Sequence, residues 1–73
     1  MKIEQNPVLD KGNLTLKVSY NIDTNEPSII MMNGLIALTD DDYDISDDTI
    51  TLKEDYGIDF DNDTLCVIYT ILD

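Results

Sequence analysis

From Leu14 to Tyr20 apolar and polar residues alternate without a break. That period of two marks a half-buried β-strand, with Leu14, Leu16, Val18 and Tyr20 expected toward a core and Thr15, Lys17 and Ser19 toward water. The alternation returns in Tyr43-Asp44-Ile45 and in Thr49-Ile50-Thr51-Leu52, joined by the turn Ser46-Asp47-Asp48. Tyr43, Ile45, Ile50 and Leu52 are expected to share one face of that hairpin. Residues 28–32 and 35–38 are apolar on both faces and flank Asn33-Gly34, a pair that tolerates the positive φ of a type I′ turn. An apolar pair of this kind predicts either two central strands or an outer face covered by a neighbour. Residues 64–71 form a continuous β-branched run, with Leu65, Val67, Tyr69 and Ile71 on one face and Cys66 and Ile68 on the other. Ile58-Asp59-Phe60 is expected as a short return strand before the turn Asp61-Asn62-Asp63.

No segment carries a helical period beyond two turns. The pattern predicts an all-β chain, a small antiparallel sandwich of about six to seven short strands. Pro7 and the turn Asp10-Lys11-Gly12-Asn13 argue against a long strand at the start. Residues 1–12 are therefore expected as an arm or a short edge strand, and residues 13–73 as the β-sandwich domain.

At 73 residues the chain is one domain near the lower limit of independent folding. Cys66 is the single cysteine, so no internal disulfide can form, and within its apolar run it is expected to be a buried small hydrophobe. No histidine is present, which removes imidazole ligands and imidazole bases. Contacts with a partner are left as the additional source of stability. No cofactor is expected. Sixteen acidic residues against four lysines give a formal net charge of -12. Such a surface repels phosphates and anionic lipid, so neither direct nucleic-acid binding nor membrane binding is expected. No apolar stretch has the length to cross a bilayer or to serve as a secretion signal.

The stretch from Pro27 to Ile71 resembles a module common in tailed-phage virion proteins. The residues that carry the resemblance are Asn33-Gly34, Leu38 before an acidic turn, Asp42-Tyr43, Ile45, Thr49-Ile50-Thr51-Leu52, Asp63 and Leu65-Cys66-Val67-Ile68-Tyr69. The turn after Asp42-Tyr43 departs from the pattern, with Ser46-Asp47-Asp48 in place of a glycine. The resemblance implies an immunoglobulin-like β-sandwich of the kind found in capsid decoration, neck, tail and fibre proteins. It also implies a virion location and partners among capsid, neck or tail subunits, and it leaves homo-oligomerisation open.

Three chemistries compete with that structural role. Asp40-Asp41-Asp42-Tyr43-Asp44 and Asp59-Phe60-Asp61-Asn62-Asp63 begin like calcium loops, but Ile45 or Thr64 stands where the loop needs glycine. Thr51 or Thr70 stands where it needs glutamate, so solvated turns are the better reading and no metal site is expected. Carboxylate-pair catalysis lacks a pocket to separate two pKa values, and no arginine or phosphate loop is present, so no enzyme is expected. Nucleic-acid mimicry is the alternative function: an acidic inhibitor of a host DNA-binding or DNA-cutting enzyme. It requires carboxylates in a row, whereas here they gather in turns. Of the tyrosines, Tyr20, Tyr43 and Tyr69 fall at inward positions and Tyr56 in a loop, so Tyr56 is expected as a contact residue. With Pro7, Val8, Leu9, Met31, Met32 and Ile36 it completes the expected partner surface of a small capsid accessory protein.

Overall fold

The structure, a computed structural model, describes residues 2–73. Eight strands form two four-stranded antiparallel sheets: β1 (Lys2–Gln5), β2 (Val8–Asp10), β3 (Thr15–Lys17), β4 (Ile29–Met32), β5 (Leu35–Thr39), β6 (Tyr43–Ser46), β7 (Thr49–Leu52) and β8 (Leu65–Tyr69). One sheet, here sheet A, has the order β1-β8-β4-β5, and the other, sheet B, the order β2-β3-β7-β6. Among the described residues the only helical turn is a 3-10 turn at Asp40–Asp42. The architecture is the β-sandwich that the alternation predicts, with eight strands rather than six or seven.

The additional strands come from the first ten residues. Asn6, at φ 56, and the buried Pro7 turn the chain from the edge of sheet A to the edge of sheet B. β1 pairs along its length with β8, and β2 with β3. Pro7 has no N–H to donate and sits between the two strands, the position a sheet tolerates.

The core lies between the inner faces. Sheet B supplies Leu16, Tyr43, Ile50 and Leu52, and sheet A supplies Ile30, Leu38, Leu65, Val67 and Tyr69, all buried. Ile22 joins them where residues 18–22 cross between the sheets and bridge to Ile71. Each fully buried aliphatic side chain contributes roughly 1.5–3 kcal/mol. Three expectations fail. β3 ends at Lys17, and Tyr20 is 49% exposed, because the crossing segment no longer follows the strand alternation. Ile58-Asp59-Phe60 forms turns, held by bonds from the Asn62 and Asp63 amides to the Asp59 carbonyl, in place of a strand. Cys66 is half-buried on the outer side of β8.

Both tight hairpins depend on left-handed backbone. Asn33 and Gly34 have φ 54 and 84, the two positive values a type I′ turn requires. In the β6–β7 turn Asp47 takes φ 55 where the resembled pattern has glycine. Aspartate reaches this region at modest cost because its short side chain can bond locally.

Candidate functional site

Strand register places outward side chains in rows that cross each sheet. On sheet B the outer rows are Val8–Lys17–Thr49–Ser46 and Asp10–Thr15–Thr51–Asp44. They are polar apart from Val8, as expected of a face in water. On sheet A the outer rows are Ile3–Ile68–Ile29–Thr39 and Gln5–Cys66–Met31–Ile36. Six of these eight residues are apolar, and none is charged. Ile3 is 60% exposed and Ile36 66%, and a shallow depression of about 350 Å³ among Ile3, Met31, Cys66 and Ile68 opens on this face. One side of the sandwich is thus wet and the other is an uncovered apolar plane.

A second apolar feature lies beside it. A groove of about 450 Å³ runs along β5 and is lined by Leu35, Ile36 and Ala37, with Tyr56 and Ile58 from the loop after β7. Tyr56 takes φ 51, a left-handed conformation costly for a large side chain, and its hydroxyl donates to the Asp42 carbonyl at 3.0 Å. The loop therefore fixes this ring in one place. Desolvation, followed by the charges of Asp42 and Glu54, raises the Tyr56 pKa.

Buried polar groups elsewhere are fully occupied in holding the sheets together. Ser28 donates its N–H and hydroxyl to Asp40 Oδ1, at 3.0 and 2.7 Å, and its Oγ lies 2.7 Å from the Tyr43 hydroxyl. This network ties the entrance of β4 to the entrance of β6. Burial pushes Tyr43 up to about 12, and the neighbouring Asp40 charge adds to the shift. At the opposite edge, Glu4 accepts from the Tyr69 hydroxyl at 2.9 Å and from the Ser19 N–H and hydroxyl. Partial desolvation works to raise the Glu4 pKa, but the Ser19 amide and the two hydroxyls outweigh it and hold the carboxyl below its ordinary value. Tyr69 is pushed up to about 12 by burial and then by Glu4.

The acidic turns use their carboxylates locally. Asp42 accepts the Thr39 N–H, Asp59 accepts from Asp61 and Asn62, and Asp63 accepts from Asp59 and Asn33. Among the described residues no three acidic or cysteine side chains converge as metal ligands.

The expected contact residues are thereby sorted. Met31 and Ile36 lie on the outer face of sheet A, and Met32, Ile36 and Tyr56 line the groove. Val8 is 69% exposed, but on the edge of sheet B, away from both features. Leu9 packs against the core and Pro7 is buried, so these two are fold residues. Sequence reasoning did not single out Ile3, Ile29, Leu35, Ile58, Cys66 or Ile68. The signal for Cys66 and Ile68 was present, because they are the apolar residues opposite the core face of β8.

No protein-family model, curated protein or solved structure matches this chain.

Proposed function

We propose that the protein is a non-enzymatic assembly module that docks through the outer face of sheet A. The setting proposed for it is the surface of a tailed-phage capsid, as a small accessory protein bound to other virion subunits. The observation that carries the docking role is the apolar composition of the two outer rows of sheet A, set against the polar rows of sheet B. An exposed apolar plane of this kind costs solubility unless something covers it. The virion setting rests on the resemblance of residues 27–71. A non-catalytic role is supported by the polar groups of the interior, since buried Ser28 and Tyr43 are satisfied with Asp40, and buried Tyr69 with Glu4. The carboxylates that a nucleic-acid mimic would align are instead engaged in turns.

A four-stranded face of this size covers on the order of 250–300 Å². A standard interface takes about 800 Å² from each partner, so this face is one part of a larger contact or one of many in a lattice. Ile3→Lys and Ile36→Lys place charge on the two exposed isoleucines of the outer rows without touching the core. Loss of both variants from purified virions, with unchanged melting temperature, is the expected result. Attachment of the doubly charged variant at wild-type occupancy would overturn the docking face. Absence of the wild-type protein from virions would overturn the setting.

A further inference from the structure

The four sheet edges are not alike. β1 carries Lys2 and Glu4, β2 is three residues long and carries Asp10, and β6 carries Asp44. Charge and shortness are the usual means of keeping an edge from pairing with another chain. β5, the sequence Leu35-Ile36-Ala37-Leu38-Thr39, has five residues and no charge, and its first residue is 74% exposed. Among the described residues, the backbone of residues 35–38 bonds to nothing but β4.

We infer that β5 is a strand-addition site, which receives an extended segment of a partner protein as a fifth strand of sheet A. That segment alternates apolar with small polar residues and carries lysine or arginine at both ends. The groove between β5 and the Tyr56–Ile58 wall receives its apolar side chains, and the fixed Tyr56 ring keeps that groove formed in the free protein. The requirement for basic ends follows from the rim. Asp40, Asp41 and Asp42 follow directly on Thr39 at one end of β5. At the other end Asp63 bonds to the side chain of Asn33, and Asp59 donates its N–H to Asp63. No lysine lines the groove.

The same rim excludes a second copy as the occupant. Two β5 strands paired antiparallel about a two-fold axis would set Asp40, Asp41 and Asp42 of each against the Asp59 and Asp63 end of the other. A bulge refines the geometry: Ile30 pairs with Leu38 and Met31 with Ile36, so Ala37 has no partner on β4. Leu35 and Ile36 therefore set the register of the added strand. The site adjoins the docking face of the proposed function and shares Ile36 with it, but its test needs no virion and leaves Ile36 in place.

The test uses the full chain, isotopically labelled, and three synthetic nonapeptides. The first is Lys-Lys-Val-Thr-Val-Thr-Val-Lys-Lys, the second replaces its lysines with glutamates, and the third replaces its central valine with proline. The first peptide is expected to shift the amide resonances of residues 35–39, 56 and 58, and to weaken as salt rises from about 0.05 to 0.5 M. The glutamate and proline peptides are expected to bind at least about tenfold more weakly, the one repelled by the rim and the other unable to complete the strand ladder. Leu35→Lys with Ala37→Lys should lose the first peptide while keeping the wild-type melting temperature. Equal binding of the proline peptide overturns the inference, because the attraction is then charge alone. Shifts confined to residues 40–48 and 59–63, or a dimer of the free protein held through β5, overturn it as well.

Discussion

Gly34→Val isolates what the left-handed backbone of the β4–β5 hairpin contributes. Gly34 has φ 84, and a Cβ built there would meet no atom within 4 Å. Steric collision with the rest of the fold therefore contributes nothing, and the whole cost is conformational. For alanine, left-handed backbone costs roughly 1–2 kcal/mol, and a β-branched residue stands toward the upper end of about 1–3 kcal/mol. At about 0.05–0.15 kcal/mol per residue, a chain of this size has only about 4–11 kcal/mol to lose. The melting temperature should fall by about 5–10 °C for Gly34→Ala and about 10–20 °C for Gly34→Val, followed by circular dichroism. Gly12→Ala is the control. Gly12 lies outside the left-handed region, and its added Cβ would sit at an ordinary 3.4 Å from Asp10 Oδ1, so its transition should move by no more than a few degrees. A Gly34→Val protein that melts within about 2 °C of wild type would refute the reasoning, since that turn could not then need the backbone it has.

Glu4→Gln should destabilise the fold most near neutral pH. The folded Glu4 pKa lies below its ordinary 4.5, so its contribution is present above that value and is lost as pH falls through the folded pKa. Denaturant curves of wild type and variant should converge once the pH has fallen through the folded Glu4 pKa. Tyr43→Phe removes the 2.7 Å buried hydrogen bond between the Tyr43 hydroxyl and Ser28 Oγ and should cost about 1–2 kcal/mol by the same method. At high pH the sign reverses. Tyr43 and Tyr69 are both raised to about 12, so the stability they contribute is intact below 10 and lost as pH climbs toward 12. Absorbance titration should show these two ionising only as the fold is lost. Finally, a net charge of -12 with a single ion pair among the described residues, Lys17 to Asp48 at 3.8 Å, leaves self-repulsion nearly uncompensated. Stability should rise between about 0.02 and 0.2 M sodium chloride, and magnesium or calcium at matched ionic strength should do no better.

The elements legible in the sequence were those in which local and global preferences agree. Asn33-Gly34 announced its turn because few residue pairs accept two positive φ values. The face shared by Tyr43, Ile45, Ile50 and Leu52 followed from strict alternation, and Leu65, Val67 and Tyr69 are buried on the predicted side of β8. Tyr20 misled because alternation continues in the sequence after the strand has ended at Lys17. The bond from the Ser19 amide to Glu4, fifteen residues away, belongs to a crossing that no local pattern encodes. The first ten residues were ambiguous because Pro7 forbids one long strand but permits two short ones. The apolar runs around the hairpin allowed either two central strands or an outer face covered by a neighbour, without deciding between them. That distinction needed the register linking Ile3, Ile68 and Ile29, residues up to 65 positions apart.

The strand order also dictates a sequence of events during synthesis. β2, β3, β6 and β7 all lie within residues 8–52, so sheet B can zip up while the chain is still growing. Sheet A must wait for β8, its interior strand and the last of the eight in chain order. Until residues 65–69 arrive, β1 has no neighbour and the β4–β5 hairpin offers raw edges on both sides. Closing a loop of this length is the slow step expected of such a topology. The apolar outer plane of sheet A comes into existence only once residues 65–69 have taken their place between β1 and β4, so the chain that precedes β8 has no such face to offer.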